Sequence, residues 1–352
     1  MKKFLALVFF ITYSIYSFAC TTFLISKNGQ HVFGRNYDWI TNSGMVMVNT
    51  RGLKKTAKNP GNEKQANWMS RYGSITFNQY GKEFPTGGMN EKGLVVELMW
   101  LNEAKYPDED TRAVLNELQW IQYQLDCSGT IEDVIASDND IRITNNNTAP
   151  LHYLVADASG NAATIEFLNG KMIVHKGKNL PYAALTNSIY SDALNKTKTE
   201  TGANNPKYFD NSLGRFATVC SMIEKVQNVD PKVSLVDYSF DILKQVSQGS
   251  YTKWSIVYDI SNRQIHFITD NYHQRRSFSF DKFEFSCTEA PLAFNLQQNK
   301  PGDISSYFKP LDFNTNKALI EQSVKESRSQ VDISPSYVSA AINHFYDGRC
   351  IF

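Results

Sequence analysis

The sequence has almost no net charge, and no histidine or cysteine spacing that suits a metal ion. Its 36 Lys and Arg are balanced by 35 Asp and Glu, and the basic residues are dispersed, which argues against nucleic acid as a partner. No Walker or dinucleotide-binding glycine motif is present. The six histidines form no HExxH spacing, and no CxxC pair occurs. We therefore expect neither a metal nor any other cofactor.

The chain also lacks a Pro-, Gly- or Ser-rich linker, a low-complexity tract and an internal repeat. Its 352 residues are enough for one large domain or two smaller ones. After the first residues, no apolar stretch is long enough to cross a bilayer. The prediction is a single domain over residues 20–352, with no membrane contact once the N-terminal segment is removed.

The N-terminal segment has the three parts of a secretory signal peptide. Met1-Lys2-Lys3 is positively charged, Phe4 to Tyr16 is an apolar run too short to span a bilayer, and Ser17-Phe18-Ala19 is a small-x-small cleavage site. Residues 1–19 are therefore predicted to be removed, which leaves Cys20 at the new N-terminus.

An N-terminal cysteine carries a nucleophile and a base in one residue. The α-amine has a pKa of roughly 7.7–8.0, so near neutral pH a useful fraction is able to accept a proton. The thiol, with a pKa of about 8.5, needs only modest help to ionise. Cys20 alone could then do the work that Ser and His share in a catalytic triad.

Two other interpretations of Cys20 stay open at this point. A bacterial lipoprotein also begins at a cysteine, which carries diacylglycerol and would make the chain a non-catalytic membrane-anchored protein. Ser17 and Phe18 fit the lipoprotein cleavage pattern badly, because Leu and a small residue usually stand at those positions. Cys20 could also be a structural cysteine that lies near the cleavage site by coincidence.

The residues after Cys20 predict a β-hairpin that brings two charged residues close to it. Asn28-Gly29 is a strong two-residue turn signal between β-branched and aromatic runs. In that register Cys20 lies opposite Tyr37, and Arg35 shares its face, where the cation would lower the thiol pKa. Asp38 falls on the opposite face, so it reaches the α-amine only if the chain bends after Tyr37.

Several motifs at this spacing resemble the choloylglycine hydrolase family, the linear amide C–N hydrolases that include bile salt hydrolases and penicillin V acylases. The stretches that agree are Cys20-Thr-Thr-Phe, Phe33-Gly-Arg-Asn-Tyr-Asp-Trp39, Met89-Asn-Glu-Lys-Gly-Leu94, Leu185-Thr-Asn-Ser188, Gly214-Arg-Phe216 and Trp254-Ser-Ile-Val-Tyr-Asp259. They extend over roughly the first 270 residues. Each stretch is weak alone, but the combination is specific.

The resemblance implies a role for each residue of the candidate site. Cys20 corresponds to the family's nucleophile, Asp38 to the residue that holds its amine, and Arg35 to a partner in the same network. Asn187 corresponds to the side chain that helps form the oxyanion hole, where a fixed N–H donor is worth on the order of 10²–10³ in rate. Arg215 corresponds to a second arginine near the nucleophile.

Trp100 departs from the bile salt hydrolase pattern, which has a second oxyanion Asn at that position. Penicillin V acylases tolerate an aromatic residue there, with a backbone or ring N–H as second donor, although a shift of one residue would bring Asn102 into play.

Aromatics make up 13% of the chain, and Trp39, Tyr80, Phe84, Trp100 and Tyr106 are candidates for an apolar acyl pocket. We expect penicillin V or N-acyl-homoserine lactones as substrates, with conjugated bile salts as the alternative. A third possibility is transfer of the acyl group to an amine rather than to water.

The fold expected from the strand-rich pattern with helical blocks is α+β. The resemblance implies a four-layer αββα sandwich, a homo-oligomer (a tetramer) and, with the signal peptide, the periplasm of a Gram-negative cell. Helices are predicted within Ala113 to Ser137 with a break near Ser128-Gly129, and at 214–227, 233–246, 315–329 and 335–346. Strands are predicted at 72–78, 84–89, 94–101, 152–156, 162–167, 172–175, 253–260 and 264–270.

The four cysteines other than Cys20 could form disulfide bonds in three different pairings, or none. They are Cys127, Cys220, Cys287 and Cys350.

Overall fold

A computed structural model describes residues 20–58, 63–146, 148–199 and 212–350. The predicted signal peptide, residues 1–19, lies outside the described residues. Within these ranges, none of the helices combines the length and the apolar character that a membrane span requires.

The strands alternate with seven helices along the described chain. The strands are β1 (Thr21–Lys27), β2 (Gln30–Asp38), β3 (Met45–Asn49), β4 (Leu53–Thr56), β5 (Asn67–Met69), β6 (Ser74–Asn78), β7 (Pro85–Asn90), β8 (Val95–Trp100), β9 (Ala113–Leu115), β10 (Ile141–Ile143), β11 (Leu151–Ala156), β12 (Ala162–Leu168), β13 (Lys171–Lys176), β14 (Ala184–Leu185), β15 (Thr252–Asp259), β16 (Gln264–Thr269), β17 (Tyr272–Ser279), β18 (Leu292–Asn295), β19 (Gly302–Asp303), β20 (Lys309–Pro310) and β21 (Arg349–Cys350). The helices are α1 (Glu117–Cys127), α2 (Ile131–Ala136), α3 (Tyr190–Thr199), α4 (Ser212–Lys225), α5 (Leu235–Gln245), α6 (Phe313–Ser327) and α7 (Pro335–Asn343).

Two large sheets lie face to face at the centre of the fold. The first has the strand order β14-β1-β2-β15-β16-β17-β19, and the second has the order β13-β12-β11-β8-β7-β6-β3-β18-β20. Apolar side chains from both sheets, such as Phe33 and Phe77, share one buried cluster between them. Successive residues of a strand point to opposite faces, and β8 shows this directly: Val95 and Met99 join the central cluster, whereas Val96 and Leu98 join a second cluster on the outer face.

Helices cover the outer face of each sheet. Helices α4 and α5 pack on β1 and β2 of the first sheet, and α1 packs on β7 and β8 of the second. Ile320 of α6 and Ala341 of α7 belong to the outer cluster beside the second sheet. The layers are therefore helix, sheet, sheet and helix, which confirms the predicted α+β sandwich.

A glycine at the centre of the β1–β2 hairpin leaves room for an aromatic ring on the other strand. Gly34 pairs with Phe23 across the strands, and a Cβ at position 34 would overlap the Phe23 ring. Two residues further along β2, Asn36 donates from Nδ2 to the carbonyl of Leu243 in α5 at 2.7 Å. This hydrogen bond connects the hairpin to the helical layer.

The predicted helical region from Ala113 to Ser137 is partly wrong at its start. Ala113–Leu115 is a short strand that pairs in parallel with Ile141–Ile143. The helix begins only at Glu117, because Asn116 has extended backbone angles and its side chain accepts a hydrogen bond from the backbone N–H of Gln119. The predicted break near Ser128-Gly129 is confirmed, since α1 ends at Cys127 and α2 begins at Ile131.

One disulfide bond joins Cys287 to Cys350 and so attaches the C-terminal segment to the loop after β17. Cys20, Cys127 and Cys220 are free thiols. Of the pairings that the sequence left open, the structure therefore contains one bridge and leaves Cys20 reduced, as a nucleophile must be.

Candidate active site

The β1–β2 hairpin has the register that the turn signal predicts. Thr21 pairs with Asn36 and Lys27 pairs with Gln30, so Cys20 comes directly before the paired region, opposite Tyr37. The turn residues Asn28 and Gly29 have φ angles of 51° and 78°, the positive values that a tight hairpin of this type requires. Cys20 is only 3% exposed and belongs to the buried cluster between the two sheets.

Asp38 lies close to Cys20 at the end of β2. The Cys20 thiol is 3.8 Å from the backbone carbonyl oxygen of Asp38, and the Asp38 carboxyl is near enough for its charge to raise the pKa of the thiol. The pairing of β2 with β15 is irregular here: Thr252 pairs with Asp38 and Trp254 with Tyr37, so β15 carries one extra residue. Whether Asp38 holds the α-amine of a cleaved chain stays a prediction.

The carboxyl group of Asp38 has one oxygen that is partnered and one that is not. The hydroxyl of Thr252 donates to Oδ1, whereas Oδ2 is buried and has no hydrogen-bond partner among the described residues. Burial raises the pKa of this carboxyl to about 6, although Arg215 and Thr252 oppose the shift. A buried acceptor without a partner costs free energy, so this oxygen is available to a donor at the N-terminus of Cys20.

Arg35 lies on the same face as Cys20, as predicted, but its charge is already paired. It forms a fully buried ion pair with Glu97 and donates to the carbonyls of Thr86 at 2.8 Å and Leu98 at 3.2 Å. The Glu97 carboxyl fits because it lies opposite Gly87, where a Cβ would overlap it. Arg35 therefore fastens the hairpin to the second sheet.

Burial raises the pKa of the Cys20 thiol. The charge of Arg35 lowers it, as predicted, and Arg215 adds to this, but burial outweighs both. Because burial favours the neutral thiol, a base is needed to make it a nucleophile.

Replacement of Arg35 by methionine is expected to destabilise the fold by about 3–5 kcal/mol, because the buried Glu97 loses its counter-ion. The double variant Arg35→Met/Glu97→Leu should recover most of that loss, since both charges are then absent. Urea unfolding of the wild type and the two variants measures this. If the unfolding free energy of Arg35→Met lies within about 1 kcal/mol of the wild-type value, the Arg35–Glu97 pair contributes no more than an exposed ion pair does.

Arg215 connects the nucleophile to Asn187. Its guanidinium, on the first turn of α4, donates to the carbonyl of Cys20 at 2.5 Å, to Oγ1 of Thr21 at 2.6 Å and to Oδ1 of Asn187 at 3.1 Å. Burial lowers the pKa of Arg215 to about 10, which still leaves it charged at neutral pH. The amide group of Asn187 is thus oriented with its nitrogen away from Arg215.

Asn187 and Trp100 are in direct contact. Nδ2 of Asn187 donates to the backbone carbonyl of Trp100 at 2.9 Å, and an amide nitrogen carries a second N–H for another acceptor. The ring N–H of Trp100, a possible oxyanion donor by sequence, instead donates to Oδ1 of Asn102 at 2.7 Å. The indole ring forms part of the cavity wall beside Cys20.

Two buried residues that the sequence motifs do not include, His152 and Glu166, hold the Asn187 segment. A ring nitrogen of His152 lies 2.7 Å from the carbonyl oxygen of Thr186, and the other lies 3.1 Å from Oε1 of Glu166. The same carboxylate oxygen accepts from the backbone N–H of Tyr190 at 3.0 Å. Both side chains face the interior from neighbouring strands, β11 and β12. Their inward-facing positions in these strands were the only indication of this pair in the sequence.

An apolar cavity of about 330 Å³ opens beside the Cys20 thiol. Its wall comes from the hairpin, the second sheet, the start of α1 and the segment between α6 and α7. Trp39, Tyr80 and Trp100 line the cavity as predicted. Phe84 and Tyr106 do not: Phe84 packs on Tyr337 and His344, and Tyr106 packs on Phe167, so both belong to the core.

Glu117 is a buried acid in the wall of this cavity. Burial raises the pKa of its carboxyl from 4.5 to about 7, although the backbone N–H groups of Glu117 and Ala149 oppose the shift. Oε2 of Glu117 is buried and has no hydrogen-bond partner among the described residues. Nothing in the sequence marked this residue, because a Glu in the first turn of a helix is common on any surface.

The raised pKa of Glu117 predicts a stability that depends on pH. Because the folded-state pKa lies above the usual 4.5, folding takes up a proton between the two values, and stability falls as the pH rises through about 4.5 to about 7. Relative to Glu117→Gln, the wild type should lose about 3 kcal/mol across this window. Urea unfolding at several pH values measures the difference. The control Asp332→Asn, at an exposed residue of the same cavity, keeps Glu117 and should therefore keep the wild-type slope. An equal slope in the wild type and Glu117→Gln would contradict the assignment.

The described residues contain no group of three or more His, Cys, Asp or Glu side chains placed to hold a metal ion.

The sequence pattern of the linear amide C-N hydrolases, choloylglycine hydrolase family, matches residues 20–201, which is more than half of the chain. The chain belongs to the choloylglycine hydrolase family. The match begins at Cys20 and includes Arg35, Asp38 and Asn187, whereas Arg215 lies beyond it.

Two curated proteins are similar in sequence to this chain. Penicillin V acylase of Pectobacterium atrosepticum is 31% identical over 222 residues, and the bile salt hydrolase/transferase of Clostridium perfringens is 28% identical over 179 residues. The matches cover 57% and 47% of the chain, and 58% and 52% of those proteins. The chain therefore spans about half the length of the curated relatives it matches.

Solved structures show the same fold over a longer stretch. The penicillin V acylase of Agrobacterium tumefaciens is 25% identical with a TM-score of 0.71, and the match covers 83% of this chain and 98% of that one. A variant of the conjugated bile acid hydrolase of Clostridium perfringens is 18% identical with a TM-score of 0.66, over 80% of this chain and 98% of that one.

Proposed function

We propose that the mature chain hydrolyses a linear amide by transferring the acyl group to the sulfur of Cys20. The observation that carries this is the position of the thiol: it borders an apolar cavity and lies next to Asp38, whose Oδ2 is unpartnered among the described residues. Acyl transfer to a thiol needs a place for the acyl group, a base and an oxyanion donor. The site offers a candidate for each.

The base is the α-amine that cleavage after Ala19 creates. Because burial raises the pKa of the Cys20 thiol, a proton acceptor within the same residue is required to form the thiolate. Oδ2 of Asp38 accepts a hydrogen bond from the resulting ammonium and holds it in position. The ammonium then returns the proton to the nitrogen of the leaving amine as the amide C–N bond breaks.

The oxyanion that forms on the amide carbonyl is stabilised by the second N–H of Asn187 and by a backbone N–H. Arg215 contributes by fixing Asn187 and the carbonyl of Cys20 with one guanidinium. The thioester formed between the acyl carbon and Sγ of Cys20 is cleaved by water, for which the α-amine again acts as base. The products are a carboxylic acid and the free amine.

The substrate class that fits best is a penicillin V-like or N-acyl-homoserine lactone-like amide. The cavity volume of about 330 Å³ is at the small end of the range for ligand pockets, which suits a phenoxyacetyl group or an acyl chain better than a sterol nucleus. The penicillin V acylases also match at higher identity than the bile salt enzymes. Hydrolysis of conjugated bile salts is the alternative.

Export to the periplasm of a Gram-negative cell is part of the proposal. Two observations support it: the signal-like sequence of residues 1–19 and the disulfide between Cys287 and Cys350. Disulfides persist in oxidising compartments and are rare in the cytosol. A homo-oligomer, with four subunits by family resemblance, is proposed on the resemblance alone.

The experiment that tests this function compares kcat/KM for penicillin V, an N-acyl-homoserine lactone and a glycine-conjugated bile salt with one preparation of mature enzyme. We expect one of the first two substrates to exceed the bile salt by at least about 10-fold. A preference for the bile salt would favour the alternative. Acyl transfer to an added amino acid in place of hydrolysis would identify an acyltransferase.

A further inference from the structure

Glu117, a buried acid in the wall of the proposed acyl cavity, has no role in the reaction described above. Oε2 of Glu117 is buried without a hydrogen-bond partner among the described residues, and the residue as a whole is only 7% exposed. Glu117 lines the same cavity as Cys20 but belongs to α1, on the side of the second sheet away from the nucleophile. An unpaired acceptor in such a place costs about 1–3 kcal/mol of folding free energy.

The carboxyl group of Glu117 is held in place rather than mobile. It stands in the first turn of α1, where exposed backbone N–H groups favour an acidic side chain, and the N–H of Ala149 hydrogen-bonds to it. Asn116, the N-cap of this helix, accepts from the backbone of Gln119 at 2.6 Å and donates to the Tyr337 hydroxyl. These contacts fix one side of the carboxyl and leave Oε2 for another donor.

The residues around the cavity supply no cation for this acid. None of the residues that line the cavity is a Lys, Arg or His, and the other acid among them, Asp332, is exposed. The Tyr80 hydroxyl is engaged with Ser327 at 2.9 Å. Among the described residues that line the cavity there is therefore no cation to pair with this acid, and a molecule that enters the cavity can supply its partner.

We propose that Glu117 selects acyl groups that carry a hydroxyl group at a position remote from the scissile carbonyl. The hydroxyl pairs with the carboxyl group of Glu117 where this residue lines the cavity, while the rest of the acyl chain contacts the apolar wall. This inference rests on the proposed function, since it takes the cavity to be the acyl pocket. Glu117 acts on specificity and does not touch the reacting atoms.

A hydroxyl suits this position better than an ammonium group. Burial disfavours the charged form of the carboxyl, whose pKa rises to about 7, so both protonation states are populated near neutral pH. A hydroxyl donates to the ionised form and accepts from the neutral form, whereas an ammonium pairs with the ionised form alone. A site built around a substrate hydroxyl also discriminates strongly against the analogue without it, because its own polar group is then left unpaired.

The test uses pairs of linear acyl amides of increasing chain length, each pair differing only in a terminal hydroxyl or methyl group. Binding is measured by calorimetry with Cys20→Ala, which cannot form the thioester, and turnover is measured with the wild type. At the matching length, the hydroxylated member should bind at least about 10-fold more tightly and show a correspondingly higher kcat/KM. In the Cys20→Ala background, Glu117→Leu should abolish or reverse the preference, and Glu117→Gln, which keeps an acceptor, should retain part of it.

Asp332→Asn serves as the matched control, because it removes an exposed carboxylate from the same cavity and should leave the preference unchanged. The inference is overturned if no chain length shows a hydroxyl preference, if the preference survives in Glu117→Leu, or if a terminal amine is preferred to the hydroxyl. Failure of the proposed function is distinguishable: the binding preference would then be present in Cys20→Ala while the wild type turns over neither member of any pair.

Discussion

Replacement of Cys20 by alanine is expected to lower kcat/KM for an acyl amide by about 10⁴-fold or more. The variant keeps the cavity and the oxyanion donors but has no atom that can form the acyl intermediate. The fold should be retained, because the methyl group of alanine replaces a thiol whose hydrogen-bond contact is a single long one to the Asp38 carbonyl. Steady-state kinetics, with circular dichroism to confirm folding, measures the effect.

Cys127→Ala is the matched control for this prediction. Cys127 is also a free thiol, but it lies at the C-terminal end of α1, where its sulfur contacts the carbonyl of Met69. Its replacement should leave kcat/KM within a factor of about three, as expected for a site outside the catalytic machinery. If Cys20→Ala retained substantial turnover while Cys127→Ala did not, the assignment of the nucleophile would be wrong.

A single residue retained in front of Cys20 is expected to reduce kcat/KM by about 10²–10⁴-fold, the usual contribution of a positioned general base. The peptide bond converts the α-amine into an amide nitrogen, which accepts no proton and carries no charge for Oδ2 of Asp38. Two chains that differ only in the presence of Ala19 provide the comparison. Equal activity of the two chains would show that the base is another group.

Much of the site's geometry follows from local sequence signals. The Asn28-Gly29 turn sets the hairpin register, and the register puts Cys20 opposite Tyr37 and Arg35 on the same face. The hairpin pattern alone did not place Asp38 beside the thiol. The charge of its carboxyl acts on Cys20, and the carboxyl accepts from Thr252 on β15, more than 200 residues away in sequence, a contact that no local pattern specifies.

The parts that sequence reasoning missed all depend on contacts between distant elements. Arg35 acts on the thiol as expected, but its ion pair with Glu97 of the second sheet, for which Gly87 leaves room, was not foreseen. His152 and Glu166 hold the Asn187 segment through a buried pair across β11 and β12. Glu117 became informative only when the structure showed it to be a buried acid, with one unpartnered oxygen among the described residues, that lines the cavity beside Cys20.

The C-terminal region shows a further limit of sequence patterns. Helices near 315–329 and 335–346 were predicted and are confirmed as α6 and α7, yet nothing in their periodicity indicated that the segment between them lines the cavity beside Cys20. Val331 and Ile333 lie in the cavity wall, and the Cys287–Cys350 bridge attaches the C-terminal end of the chain to the loop after β17. Part of the cavity wall therefore comes from a region beyond the motifs that identify the family.

The proposed function requires that Cys20 is the first residue of the active enzyme and that its sulfur receives the acyl group. The mass spectrum of exported enzyme, quenched in acid during turnover of an acyl amide, examines both requirements at once. We expect a chain of residues 20–352 in which the peptide that begins at Cys20 gains the mass of the acyl group. An active chain that still carries earlier residues, a lipid on Cys20, or an acyl group on any other residue would show that the proposed function is wrong.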